Sequence, residues 1–183
     1  VSVYSTPPRQ KDQSGLWAIR VGEKGVITTR LEWLNALKLS IADLSAGQLF
    51  STFGAYELSR ITLADGVGVW GPSWLLVGDS GSFQPVSDDR PIQLEADEIS
   101  RHADPDLFWH CFPDQVISGF AIFEVGQLVA LASVSLVSNE IWEIGIDVVP
   151  KAKGRGLGRA VVSAAGQWTL SHSRLIYATT AAW

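Results

Sequence analysis

Methionine is absent from this 183-residue chain, cysteine occurs once, and histidine occurs three times. The single cysteine, Cys111, excludes an internal disulfide and reads as a buried small hydrophobe. His102, His110 and His172 do not stand at metal-ligand spacing, so no metal is expected. No apolar run approaches the roughly 18 residues of a membrane-spanning helix. The first residues, Val1-Ser2-Val3-Tyr4, lack the charged and apolar regions of a secretory signal, and a cytoplasmic location with no membrane partner is expected. Basic residues number 14 against 19 acidic ones, giving a net charge of -5 that argues against nucleic-acid binding. Neither a Gly-x-Ser-x-Gly elbow nor a P-loop is present. With no Met at position 1 and a stop at Trp183 directly after an apparent strand, the chain is expected to be trimmed at both ends.

What remains is an ordinary globular composition, 46% hydrophobic and 18% charged, enough for one good core or two small subdomains. Residues 1–14, with Pro7-Pro8, read as an arm or edge segment. Trp17–Val21 and Val26–Thr29 flank Gly22-Glu23-Lys24-Gly25 as a hairpin. Thr29-x-x-Glu32 and Ser45-x-x-Gln48 are capping boxes that open helices near 30–44 and 46–64. Gly66–Gly78 reads as strand, bend, strand around Gly71-Pro72, and Asp79–Pro91 as a polar linker. Residues 95–112 read as a helix broken near Pro105. Strands follow at Phe120–Glu124, Leu128–Leu136 and Ile141–Val149, then a helix over Arg155–Ser171 and a strand over Leu175–Thr180. Trp142 and Trp168 fall on apolar faces, and Trp70, Trp74 and Trp109 are also read as buried packing in preference to pocket lining.

The chemistry concentrates in one stretch. Along Ile141–Val149, a period of two places Trp142, Ile144, Ile146 and Val148 on an apolar face, and Glu143, Gly145 and Asp147 on the other. Gly145 removes a side chain beside Glu143 and is read as room for a substrate. Pro150 to Ala160 then carries Lys151, Lys153, Arg155 and Arg159 among Gly154, Gly156 and Gly158. Alternate glycines let the backbone curl close to a ligand. The following helix has Leu157, Val161, Ala164 and Trp168 along one side. Its first N–H groups lack intrahelical partners, and with the positive dipole end they suit a pyrophosphate. Lys153, Arg155 and Arg159 add charge-assisted contacts. A solvated basic turn is the bland alternative. The dinucleotide fingerprint fits poorly, because Arg159 stands at its third glycine position.

Val148-Val149-Pro150 followed by Lys153-Gly154-Arg155-Gly156-Leu157-Gly158-Arg159-Ala160 resembles the acetyl-CoA motif of the GNAT superfamily of N-acetyltransferases, Gln/Arg-x-x-Gly-x-Gly/Ala after the fourth strand. Lys153 stands where Gln or Arg is usual, keeping a positive donor without the planar fork. The resemblance covers about residues 117–183. It implies an α/β fold with a mixed, mostly antiparallel sheet flanked by helices. Residues 1–90 would be an N-terminal helical and strand subdomain covering the acceptor site, and 91–183 the acetyl-CoA-binding core.

For the site, the resemblance implies that the backbone of Asp147, Val148 and Val149 pairs with the pantetheine arm. The amides of Gly154, Arg155, Gly156, Leu157, Gly158 and Arg159 would hold the pyrophosphate. Glu143 falls where several members place a general base, with Asp147 as the second candidate or a binder of the ammonium. A primary amine of a small molecule or peptide would attack the thioester directly. The helix that often supplies an acidic Tyr would begin where the chain stops, which leaves Tyr177 as a substitute. An exposed fifth strand at the edge would favour a homodimer. The alternatives are a non-catalytic acyl-CoA-binding regulatory module and an enzyme using the same turn for ATP or NAD.

Overall fold

Residues 1–5, 15–112, 115–173 and 175–181 are described by the computed structural model. The expected arm around Pro7-Pro8 lies outside the described residues. The chain divides into two units, one of Val1–Trp74 together with the end of the chain from Ala181, the other of Leu75–Thr180.

In the first unit, β1 (Ser2–Ser5) runs parallel to β3 (Lys24–Thr29), and β2 (Leu16–Val21) runs antiparallel to β3 on its other side. The expected hairpin is therefore present, with register pairs from Leu16↔Thr29 to Val21↔Lys24. Its helices are α1 (Leu34–Ser40), α2 (Ala46–Leu49) and α3 (Thr52–Thr62). Ile27, Trp33, Leu37, Ile41, Leu49 and Leu58 form the core, each large side chain contributing about 1.5–3 kcal/mol by burial.

The capping box at Ser45 and Gln48 forms in both directions, with Gln48 N–H donating to Ser45 Oγ over 3.2 Å and Ser45 N–H to Gln48 Oε1 over 3.0 Å. The box expected at Thr29 does not form: Thr29 is fully buried in β3, and the turn Leu31–Trp33 starts after Arg30 without a side-chain cap. The single helix expected over 46–64 is broken at Phe50 (ψ 46°), and Ser51 caps a new helix by accepting from Gly54 N–H. Of the two strands expected between Gly66 and Gly78, only β4 (Ser73–Gly78) forms.

The second unit is built on a six-stranded sheet in the order β4-β9-β8-β7-β6-β5. Its strands are β5 (Ile92–Glu95), β6 (Val116–Glu124), β7 (Gln127–Leu136), β8 (Ile141–Val148) and β9 (Leu175–Ala181). Pairing is antiparallel from β5 through β8 and parallel between β8 and β9. The expected mixed, mostly antiparallel sheet flanked by helices is thus what the chain builds. β9 is flanked by β4, which removes the exposed fifth-strand edge on which a homodimer was argued.

Central β7 is buried over Val129–Ser135, so the sheet needs cover on both faces. Helix α5 (Leu157–Leu170) covers one, packing Leu157, Ala160, Val161 and Ala165 against Phe120, Ala132, Val134 and Ile144. On the other, α4 (Ala96–His102) and a short 3-10 turn, Trp109–Cys111, set Ile99, Phe108 and Cys111 against Leu94, Ala121 and Leu131. The helix expected over 95–112 accordingly breaks after His102, where Asp104 O accepts from Phe108 N–H over 2.9 Å. Asp79–Pro91 is a strap on α5 more than a linker: Phe83 packs onto Gly166, and Val86 N–H donates to Ser163 Oγ over 3.0 Å. Trp70, Trp74 and Trp109 are 71%, 60% and 61% exposed, against the expectation of burial.

Candidate active site

Strand β8 and the turn that follows it hold the sequence-nominated residues together. β8 pairs with β9 at Ile141↔Leu175, Trp142↔Ile176 and Glu143↔Tyr177, and no further. From Ile144 onward the β8 edge toward β9 has no strand partner among the described residues. Its other edge stays paired with β7 through Val148↔Ala130, and Val149 N–H then donates to Val129 O over 3.0 Å. Two neighbouring parallel strands therefore part, leaving backbone groups of Gly145 to Val148 free along one side.

The chain then makes a 3-10 turn over Pro150–Ala152, and Lys153 is extended. Gly154 and Gly156 take left-handed conformations, φ 77° and 76°, which a side chain would resist. A Cβ on either would meet nothing within 4 Å, so the turn is uncovered. Leu157, buried at the start of α5, pins the helix to the sheet. The first intrahelical bond is Ala160 N–H to Gly156 O, 3.1 Å. The N–H groups of Leu157, Gly158 and Arg159 therefore have no acceptor among the described residues, and they stand at the positive end of a 14-residue helix.

Lys153 and Arg159 are exposed and in no ion pair among the described residues. Arg155 is engaged: its guanidinium forks onto Glu124, with Nη2 at 2.6 Å from Oε1 and Nη1 at 2.9 Å from Oε2. Arg155's hydrogen bonds hold the Glu124 carboxyl below the usual carboxylate range. A cavity of about 620 Å³ is lined by Val149, Pro150 and Lys151 together with Phe108, Phe123 and Leu128.

On the polar face of β8 the structure separates the two nominated carboxylates. Glu143 stands beside Tyr177, whose hydroxyl pKa is pushed well above its ordinary value by burial first and by the Glu143 charge second. Asp147 receives two hydrogen bonds from His110, from the backbone N–H to Oδ2 at 2.8 Å and from ring Nδ1 to Oδ1 at 2.6 Å. Gly145 lies between them, but the space above it is not open. The His110 carbonyl sits where a Cβ would be, which corrects the reading of Gly145 as room for a substrate. Cys111 is fully buried, with Sγ donating to Leu131 O over 3.4 Å, and burial pushes its thiol up to about 12.

Residues 79–183 match the model of the acetyltransferase (GNAT) family. The chain belongs to that family. No curated protein matches the chain. Among solved structures, it is similar to a GNAT-family protein from Novosphingobium aromaticivorans (17% identity, 59% of this chain and 52% of that one, TM-score 0.48). It is also similar to a GCN5-related N-acetyltransferase from Kribbella flavida (16% identity, 58% and 47%, TM-score 0.45). A third is an aminoglycoside N-acetyltransferase in complex with CoA (16% identity, 61% and 80%, TM-score 0.38). The chain spans about half the length of the first two.

Within this GNAT domain, sequence reasoning missed three partners: Glu124 on Arg155, His110 on Asp147, and the pairing of Tyr177 with Glu143. Each pair comes from elements brought together by the sheet, at separations of 31, 37 and 34 residues, beyond the reach of local spacing. No described helix is long and apolar enough to cross a membrane.

Proposed function

We propose that this chain is an N-acetyltransferase that moves an acetyl group from acetyl-CoA to a primary amine of a small molecule or peptide. The observation that carries the reading is the open N-terminus of α5, with unpartnered amides at Leu157 to Arg159 directly after two left-handed glycines. That arrangement suits a diphosphate by partial charge and by shape, because no side chain obstructs the backbone.

Acetyl-CoA, when bound, supplies a thioester whose carbonyl carbon an amine can attack. The amides of Gly154 to Arg159 would hold its diphosphate, with Lys153 and Arg159 free to add charge. The unpaired β8 edge, ending at Asp147, Val148 and Val149, would hydrogen-bond to the pantetheine amides as a strand would. Glu143, on the last residue pair before β8 and β9 part, would take a proton from the acceptor's ammonium. Asp147 is the second carboxylate of that face. A cytoplasmic setting, no resident metal, and neither nucleic acid nor membrane as partner belong to the same reading.

Thermal-shift measurements with CoA, acetyl-CoA, ATP and NAD test it. A ligand at about 100 times its Kd stabilises by about 2.7 kcal/mol, and the coenzyme A species are expected to do so. Stabilisation by ATP or NAD alone overturns the reading. Acetyl-CoA binding with no thiol release in the presence of any amine would leave an acyl-CoA-binding module.

A further inference from the structure

The 3-10 turn Trp109–Cys111 delivers an imidazole to the carboxylate face of β8, and the chemistry above makes no use of it. Both carboxylate oxygens of Asp147 are taken by His110, one by its backbone N–H and one by ring Nδ1. An ionised carboxylate only accepts, so Nδ1 carries the hydrogen, and in the neutral ring Nε2 then keeps the lone pair. The Asp147 side chain is 12% exposed and that of His110 48%, so a nearly buried carboxylate holds a half-exposed ring. The turn is held by two further contacts. The Trp109 ring lies against the imidazole, centroids 3.4 Å apart, and the His110 carbonyl is seated on Gly145.

Among the described residues, the titratable groups that face this ring come from β8 and from the turn itself. β8 contributes Asp147 and, on the same face, Glu143; the turn itself contributes the Cys111 thiol. The β7 residues on this face, Leu131, Ser133 and Ser135, bring no charge.

We propose that His110 is a proton acceptor for the incoming amine and that Asp147 is its positioning residue. This rests on the acetyl-transfer reading and deepens it. An ammonium becomes an amide by shedding two protons from nitrogen, one before the N–C bond forms and one after. The C–S bond breaks with its electron pair on sulfur; the thiolate takes up one proton and one is released to solvent. Glu143 accepts one nitrogen proton and His110 Nε2 the other. Asp147 acts through His110, which it holds by both carboxylate oxygens. Its charge fixes the tautomer and favours the imidazolium once formed.

Two readouts test the proposal. Nitrogen-15 spectra of the imidazole rings need no acceptor: His110 is expected as the Nδ1-protonated tautomer, and Asp147→Asn is expected to abolish that preference. Release of the CoA thiol is then followed with a panel of primary amines from butylamine to spermidine. His110→Gln is expected to lower kcat/KM about 10²-fold, remove the acid limb of its pH profile, and leave acetyl-CoA affinity intact. Asp147→Asn should also lower kcat/KM at unchanged affinity. An Nε2-protonated His110, or His110→Gln with unaltered kcat/KM and pH profile, overturns the proposal while leaving acetyl transfer standing. A wild-type protein that binds no acetyl-CoA, or transfers to none of the amines, overturns both.

Discussion

Glu143 on β8 and Tyr177 on β9 stand opposite each other, and theirs is the last pair before the two strands part. Burial first, and the carboxylate second, push the phenol well above its ordinary value. Glu143→Gln is expected to leave acetyl-CoA affinity nearly unchanged and to lower turnover about 10²-fold. Tyr177 should then titrate lower than in the wild type, yet still above an ordinary tyrosine, because burial is the larger cause. Steady-state thiol release and ultraviolet titration check both. Unchanged turnover would remove Glu143 from the chemistry.

Gly145 is the seat of the His110 carbonyl. Gly145→Ala forces the backbone of the Trp109–Cys111 turn away from β8, and overpacking of this kind costs about 1–3 kcal/mol. Urea denaturation should show that loss, accompanied by loss of the His110–Asp147 contact in imidazole spectra. A stability equal to wild type would contradict the close approach.

Much of this site was legible in the chain. Alternation of Trp142, Ile144, Ile146 and Val148 against Glu143, Gly145 and Asp147 marked β8, and the glycine turn with Leu157 and Val161 at helical spacing marked α5. Those signals are local. β5 was missed because four residues after Pro91 carry too short a pattern, and they become a strand only by pairing with β6. The break after Leu49 was hidden because the apolar spacing runs through it, and only the cap at Ser51 reveals it. Gly145 was misread for a related reason: a missing side chain shows that space is needed, without saying what fills it. Exposed Trp70, Trp74 and Trp109 defeat a composition argument that counts tryptophan as core.

Arg155 is bound to Glu124 in a two-pronged ion pair, so part of its charge and two of its N–H donors are committed to that carboxylate before a phosphate arrives. Glu124→Gln is expected to tighten acetyl-CoA binding by less than about fivefold, the range of exposed ion pairs. The gain should fade as salt rises. Calorimetric titration at low and high salt checks it. Weaker binding in the variant would mean that the pair orders the turn instead of competing with the ligand.

The thiol of Cys111, pushed up to about 12 by burial and then by the Asp147 charge, keeps its proton in the folded state. An unfolded cysteine ionises near about 8.5. Between these values the unfolded chain binds fewer protons than the folded one, so stability falls as pH rises from about 9 toward 12. Below that window the contribution is fully present. Denaturation series should show a steeper alkaline loss in the wild type than in Cys111→Ala, and iodoacetamide at pH near 8 should label Cys111 only after unfolding. Rapid labelling of folded protein would contradict the burial.

The most direct measurement is a titration of nitrogen-15-labelled protein with coenzyme A, following backbone amides. The amides of Gly154 to Arg159 are expected to move first and furthest, led by Leu157, Gly158 and Arg159. Saturable shifts confined to other segments, with those six amides still, would contradict the account.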